Sequence, residues 1–148
     1  MKPIKMQEFF NPWCLIAIVL FSINNLYWKL DYPNWITGKL SDFAVCYFLP
    51  LYVSALLSLV VDWKLRQRLR VGVMLTALIF TLVKTSGYMS GQLNLLLSQI
   101  TTAFGFGPSA NIADPGDLIA LPLIGIAYLY TIKKMESQHE TALVVKYR

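Results

Sequence analysis

Long apolar segments constrain this chain more than any other feature of its sequence. One of them runs from Asp42 to Val61 and has no charged residue after its first position. At a rise of about 1.5 Å per residue, a helix of that length crosses the roughly 30 Å hydrocarbon layer of a bilayer. A chain of 148 residues, 56% hydrophobic and 14% charged, could bury one such helix in a soluble core but not four. The sequence therefore predicts a small, all-α integral membrane protein.

We predict four transmembrane helices within a single domain. The first apolar run follows Lys2 and Lys5, as in a signal peptide. It lacks a small-x-small cleavage site, so we interpret it as an uncleaved anchor. The spans are expected at about 12–28, 41–61, 71–91 and 115–132, and residues 133–148 are expected to form a tail.

The basic residues predict which side of the membrane each loop occupies, because Lys and Arg flanks are retained in the cytoplasm. The N-terminus, the segment 62–70 and the tail after Ile132 hold all but three of the 13 Lys and Arg residues. The other three are Lys29, Lys39 and Lys84. Both termini and the tail are therefore predicted to be cytoplasmic.

The stretch between Lys84 and Asp114 contains no charged residue and is too polar in places for a plain span. From Gln92 to Phe104, apolar residues recur at helical spacing while polar residues occupy the other face. We predict an amphipathic helix over 92–104 on the non-cytoplasmic side. It could lie on the bilayer interface or dip into the bundle. Surface-lying helices usually carry Lys and Arg, and their absence here favours packing over the mouth of the bundle.

Polar groups gather at the non-cytoplasmic ends of the predicted spans. Counted from the cytoplasmic end of its own span, Lys84 lies roughly 21 Å deep and Asp117 roughly 24 Å deep. A charged residue near the centre of a span costs about 2.5–3.5 kcal/mol, so such residues tend to pair or to face a cavity. We therefore predict an ion pair between these two residues, with one of two asparagines nearby. The candidate binding cluster comprises Asn24, Asn25, Lys39, Asp42, Lys84, Asp114 and Asp117.

Ordinary structural roles offer an alternative for Lys84 and for the start of the fourth span. Lys84 could extend alone to the outer headgroups, because its aliphatic stem covers much of the remaining distance. Asp114 is a good N-cap, and Pro115 suits the first helical position. The charge of Asp117 would then favour the positive end of that helix. Capping alone could thus account for both carboxylates.

A similar alternative applies to the start of the second span. Thr37 or Ser41 could cap that helix, and Lys39 and Asp42 could form a local pair three residues apart. Capping does not explain why two such motifs and Lys84 all occur at one end of the predicted bundle.

The cysteines and the histidine point to no redox or metal chemistry. Cys14 and Cys46 are expected at opposite depths of the membrane, so no disulfide within the chain is predicted. The single histidine, His139, lies in the charged tail, which leaves no set of His and Cys ligands for zinc. No cofactor is expected. The basic residues flank apolar runs without interleaved aromatics, so nucleic acid is not an expected partner.

The residues from Thr37 to Ala44 read TGKLSDFA, a stretch that resembles one at the start of the second span in a group of small bacterial membrane proteins. The chain more distantly resembles the VanZ-like family. In that family a basic residue and a His-Phe pair stand where this chain has Lys39, Asp42 and Phe43.

A second VanZ-like pattern, D-L-x-A-N-x-x-G, resembles the segment from Asp117 to Gly125. Leu121 stands there in place of Asn, with one additional residue before the glycine. The resemblance implies a multi-pass protein of the bacterial inner membrane. VanZ-like proteins are associated with glycopeptide resistance at the cell surface. The resemblance therefore implies a cellular location and does not specify a chemical reaction.

Three classes of function are compatible with the sequence. The first is a binding protein that recognises a lipid, an envelope precursor or a membrane partner through the polar cluster. The second is an outer-leaflet enzyme of lipid-modifying or VanZ-like type. It would use Asp42, Asp114 or Asp117 as acid or base and Lys39 or Lys84 to bind an anionic headgroup. The third is a small transporter subunit or a toxin-immunity protein. Expected partners are membrane lipids and another membrane protein or a second copy of the chain.

Overall fold

The residues that the structure describes fold into helices and contain no strand. The computed structural model describes residues 9, 11–28, 31, 32, 34–103, 105 and 112–146, the last nine of them by their backbone alone. The helices are α1 (Pro12–Ile23, continued by a π-helical turn over Asn24–Trp28), α2 (Trp35–Val60), α3 (Leu65–Thr85), α4 (Gly87–Ala103) and α5 (Pro122–Lys146, preceded by a 3-10 helix over Pro115–Ala120). The predicted all-α fold is confirmed for this part of the chain.

Asparagine side chains start the first two helices. Asn11 accepts a hydrogen bond from the Trp13 N–H at 3.1 Å, with Pro12 in the first turn. At α2, the Asn34 side chain accepts from the Thr37 N–H and the Thr37 hydroxyl accepts from the Asn34 N–H, which is a capping box. The cap of α2 is therefore Asn34. The sequence had suggested Thr37 or Ser41, but the reciprocal pair of bonds starts the helix at Trp35.

A 3-10 helix, Pro115–Ala120, precedes α5. The Asp114 carboxylate accepts from the Gly116 N–H at 2.8 Å, so the predicted cap at Asp114 is present. Pro122 has no N–H to donate, and the α-helix begins there. The helix then continues to Lys146, beyond the predicted end of the span at Ile132.

A sharp bend separates α3 from α4. Ser86 has an extended backbone, its N–H closes α3 on the Leu82 carbonyl, and its hydroxyl accepts from the Met89 N–H at 3.4 Å. Ser86 thus ends one helix and starts the next, and the two axes differ by 108°. The predicted span 71–91 is interrupted at this residue. The predicted helix 92–104 instead begins at Gly87 and ends at Ala103.

Helix α2 lies at the centre, in contact with α1, α3 and α5. Two helical segments, Trp35–Val60 and Pro115–Ser137, are long and apolar enough to cross a membrane. A third crossing exists if α3 and α4 together count as one bent span, and α1 is a shorter apolar helix. Length and composition therefore support a membrane protein with two or three candidate spans in the part of the chain described.

Two buried apolar clusters occupy successive levels of the bundle. The cluster nearer the α2–α3 connection contains Cys14, Leu51 and Leu69. The other, which we call the apolar floor, contains Cys46, Phe80, Ala120 and Ile124. Both cysteines are buried and free, and they belong to different clusters.

Candidate functional site

Five of the seven predicted site residues form one connected ion network. It lies where α2, α3 and the 3-10 helix meet, above the apolar floor. Positive and negative side chains alternate along it. In order of contact, the network runs Asp114, Lys39, Asp117, Lys84, Asp42.

Asp117 is the central member because its two carboxylate oxygens contact different lysines. Lys84 Nζ donates to Asp117 Oδ2 at 2.7 Å and lies 2.8 Å from Asp42 Oδ1. Lys39 Nζ donates to Asp117 Oδ1 and lies 3.3 Å from Asp114 Oδ2. The predicted ion pair between Lys84 and Asp117 is therefore present. Lys84 does not extend to the surface alone, since its side chain is buried.

Helical spacing explains why α2 supplies two members. Lys39 and Asp42 are three residues apart and lie on one face of α2. The same face carries Cys46, which belongs to the apolar floor. The sequence allowed these two charges to pair with each other. In the structure each of them instead pairs across the bundle, Asp42 with Lys84 and Lys39 with the carboxylates before α5.

Gly116 leaves the space that Lys39 requires. A Cβ atom at this position would lie 3.0 Å from Asp114 Oδ1 and 3.4 Å from Lys39 Nζ. A side chain here would therefore push the ammonium group and the capping carboxylate apart. Sequence reasoning did not select this glycine, although its position between two aspartates was a usable signal.

Exposure changes steeply along the network. The side chains of Lys39, Asp42, Lys84 and Asp117 are 6% to 13% exposed, whereas Asp114 is 53% exposed. Asp114 is therefore the member of the network that is open to the molecular surface. With every member charged, three carboxylates face two ammonium groups, which leaves one unit of negative charge.

Aromatic rings lie beside both ammonium groups. Lys39 Nζ is 5.7 Å from the centre of the Trp35 ring, and Lys84 Nζ is 5.7 Å from that of Phe80. These distances allow cation–π attraction. Trp35 is exposed and flanks Lys39, so it forms the rim of the network together with Asp114.

The apolar floor closes the network on its inner side. Cys46 lies one turn after Asp42 in α2, and Phe80 lies one turn before Lys84 in α3. Ala120 and Ile124 complete the layer below Asp117. In the part of the chain that the structure describes, this layer separates the network from the buried Arg68 and Thr76, which lie nearer the α2–α3 connection.

The two asparagines do not join the network. Asn24 is fully buried, and its amide nitrogen donates to the Thr37 carbonyl and to Ser41 Oγ, each at 2.6 Å. At about 100° per residue, Thr37 and Ser41 lie on nearly the opposite side of α2 from Lys39 and Asp42. Asn24 thus fastens α1 to α2. Counting depth predicted its level correctly but not the side of α2 that it contacts.

Asn25 turns back into its own helix. Its amide nitrogen donates to the Phe21 carbonyl at 2.8 Å, within α1. Adjacent positions on a helix point about 100° apart, so Asn24 and Asn25 could not both face α2. The expectation that one of the two lies beside the Lys84–Asp117 pair is corrected by these contacts.

The described residues contain no group of three or more His, Cys, Asp or Glu side chains that could hold a metal ion. His139 lies outside the side chains described. The buried carboxylates of Asp42 and Asp117 are held by lysine ammonium groups, which compete with any cation for the same oxygens.

Comparisons with protein-family models, with curated proteins and with solved structures gave no match to this chain. The resemblance to VanZ-like proteins and to the TGKLSDFA group therefore stays a prediction. In the structure that stretch forms the beginning of α2 and contributes Lys39 and Asp42 to the network.

Proposed function

We propose that this chain is a multi-pass protein of the bacterial inner membrane that binds a membrane partner through the network end of its bundle. In this proposal four segments cross the bilayer, both termini are cytoplasmic, and the network faces the other side. The distribution of Lys and Arg supports that orientation. The observation that carries the proposal is the alternating ion network, which is buried along most of its length and open at Asp114.

The proposal divides the network into two parts. The four buried members join α2, α3 and the start of α5, and so hold Asp114 in place. Asp114 and Trp35 form the rim that a ligand can touch. An exposed carboxylate next to an exposed indole suits a partner that carries a positive charge beside apolar surface. An ammonium headgroup of a lipid and a Lys or Arg side chain of a membrane protein share that chemistry.

Catalysis has less support than binding. A general acid or base must reach the proton that it transfers, at about 2.6–3.2 Å or through one water. Asp42 and Asp117 are buried, and each is occupied by a lysine. Asp114 is accessible, but its carboxylate already caps the 3-10 helix and contacts Lys39.

Transport also has less support. A path for ions or protons needs polar groups or water on both sides of an intramembrane charge. Beyond Asp42, Lys84 and Asp117 the apolar floor interrupts such a path before the next buried polar side chains, among them Thr76 and Ser54.

Photo-crosslinking in native membranes tests the proposal. A photoreactive amino acid replaces Ile112, an exposed residue two positions before Asp114. Crosslinked adducts should form, and Asp114→Asn should reduce them several-fold, since it removes the charge but keeps an oxygen for the Gly116 N–H. The mass of the adduct distinguishes a lipid from a protein.

The matched control is Asp31→Asn, another exposed aspartate in the connection between α1 and α2. This variant should keep the adducts of the unmodified chain at equal amounts of inserted protein. Absence of any adduct, or equal losses in the two variants, would contradict a binding role for Asp114.

A further inference from the structure

Helix α4 presents an apolar stripe that the described residues leave uncovered. Met89, Leu96, Ile100 and Ala103 follow one another at helical spacing, and all are exposed. Leu96 is 60% exposed and Ile100 56%. The polar Gln92, also exposed, interrupts the stripe between Met89 and Leu96, and Leu95 is exposed on another side of the helix. An uncovered stripe of this kind needs a partner.

The described part of the chain does not supply that partner. The principal neighbour of α4 is α3, from which it departs at Ser86. Asp114 and Trp35 remain exposed, so α4 does not cover the rim of the network. The sequence-based expectation that α4 packs over the mouth of the bundle is therefore not met among these residues.

The direction of α4 and the surface next to it point to a bilayer. If α3 runs along the membrane normal, an axis turned by 108° lies close to the membrane plane. Leu78, Ile79 and Leu82 are exposed on the last turns of α3. In the membrane placement proposed above α3 crosses the bilayer, which puts these side chains on its lipid-facing surface. Along the chain, the stripe on α4 is the next exposed apolar surface after the bend.

The amino-acid composition of α4 indicates which kind of lipid surface it would bind. Interfacial helices that bind anionic lipids carry Lys and Arg on their polar face. Helix α4 has no charged residue, and neither has any position between Lys84 and Asp114. Its polar side chains are amides and hydroxyls. Such groups are able to hydrogen-bond to lipid headgroups, but they carry no charge that would attract anionic lipid.

We propose that α4 lies at the boundary between headgroups and acyl chains of the non-cytoplasmic leaflet, with Leu96 and Ile100 inserted into uncharged or zwitterionic lipid. This inference rests on the membrane placement proposed above, but it does not depend on Asp114 or on any ligand of the network. Its partner is the bilayer that surrounds the protein.

Site-directed spin labelling of the full chain in vesicles tests this inference. The variants Ile100→Cys and Thr102→Cys place a nitroxide on positions two residues apart, hence about 200° apart around α4. Cys14 and Cys46 are fully buried and should remain unlabelled. In zwitterionic vesicles the ratio of oxygen to water-soluble nickel accessibility should be several-fold higher at position 100 than at position 102. Adding anionic lipid should leave both ratios unchanged.

A third label, at Leu78, separates failure of this inference from failure of the membrane placement. High oxygen accessibility at Leu78 combined with nickel accessibility at both α4 positions would show that α4 lies away from the lipid. Oxygen accessibility at both α4 positions would indicate a helix immersed in the hydrocarbon. Protection from both reagents would indicate a covering protein or a second copy. Each of these results overturns the inference, whereas nickel accessibility at Leu78 overturns the membrane placement itself.

Discussion

At the residue scale, the molecule places three carboxylates and two ammonium groups in a largely buried space and balances them by alternation. A buried ion pair contributes little net stability compared with well-packed apolar residues, but removal of one partner leaves an uncompensated charge. Lys84 is the extreme case, because two carboxylates share its ammonium group. The decrease in the free energy of unfolding when Lys84 is replaced therefore measures how strongly the members of the network depend on one another.

A double-mutant cycle tests that unit. Lys84→Met should lower the free energy of unfolding by about 3–5 kcal/mol, because it leaves the buried Asp42 without its lysine and Asp117 with Lys39 alone. Combining it with Asp42→Leu should cost less than the two single changes added together, by about 0.5–3 kcal/mol. The measurement is denaturant unfolding of the protein in detergent.

Lys133→Met is the matched control for this cycle. Lys133 is exposed on α5, so its substitution should change the unfolding free energy by no more than about 0.5 kcal/mol. Strict additivity of the Lys84 and Asp42 substitutions would contradict a direct contact between these side chains.

Two glycines provide a second test at this scale. Gly116→Ala should lower the free energy of unfolding by about 1–3 kcal/mol, because the added Cβ crowds Asp114 Oδ1 and Lys39 Nζ. Gly125→Ala, at an exposed position of α5 with open space around it, should raise it by about 0.5–1 kcal/mol. Thermal unfolding of the two variants in the same detergent compares them. Equal shifts would show that Lys39 does not need the space above Gly116.

The sequence predicted how deep these residues lie in the bundle better than it predicted which side chains they contact. Depth counting placed Lys84 and Asp117 together, and the structure pairs them. It could not assign Lys39 to Asp114 and Asp117, because rise along a helix carries no information on which side faces which helix. For the same reason it placed Asn24 beside the network, although Asn24 contacts the other side of α2.

At the scale of the elements, the close contact between α2 and α3 depends on Gly72. A Cβ atom there would collide with the Pro50 carbonyl oxygen and would lie 3.4 Å from the Ser54 backbone nitrogen. Pro50 lies inside α2 and cannot donate to the Cys46 carbonyl. The two helices thus approach most closely near a proline, where α2 lacks one of its own hydrogen bonds.

Gly72→Ala should therefore lower the free energy of unfolding by about 1–3 kcal/mol, since neither backbone can yield as a flexible side chain would. Gly91→Ala is the control, because its site in α4 is open and exposed. It should leave stability unchanged or raise it slightly. Urea unfolding in detergent measures both variants. A Gly72→Ala protein as stable as the Gly91→Ala protein would show that the contact can relax.

The existence of the helices followed from apolar periodicity, but their ends followed from local hydrogen bonds that periodicity does not report. The third predicted span continues past its apolar part through Ser86 to residue 91, whereas the structure bends by 108° at Ser86. Serine competes for backbone groups through its hydroxyl, and here it serves both helices. The capping box at Asn34 likewise moved the start of α2 ahead of its prediction.

At the scale of the whole molecule, the number of crossings is the property that all other proposals depend on. Apolar runs predict four, whereas helix length and composition in the structure support two, or three with the bent pair of α3 and α4. The shorter helix Pro12–Trp28 is about 25 Å long at 1.5 Å per residue, slightly less than the hydrocarbon layer. The uneven distribution of Lys and Arg among the loops and termini is a separate argument for which side of the membrane each loop occupies.

Thiol accessibility in cells tests number and orientation together. Trp63→Cys lies in the connection between α2 and α3, next to the basic start of α3, and Ile112→Cys lies just before the network. An impermeant thiol reagent added from outside should label position 112 in intact, outer-membrane-permeabilised cells and position 63 only after lysis. The unmodified chain is the control, because its buried cysteines should not react. Labelling of both positions from one side would mean that α3 and α4 enter and leave the same face. The network and the basic connection would then share a surface, which removes the argument from basic residues for a non-cytoplasmic network.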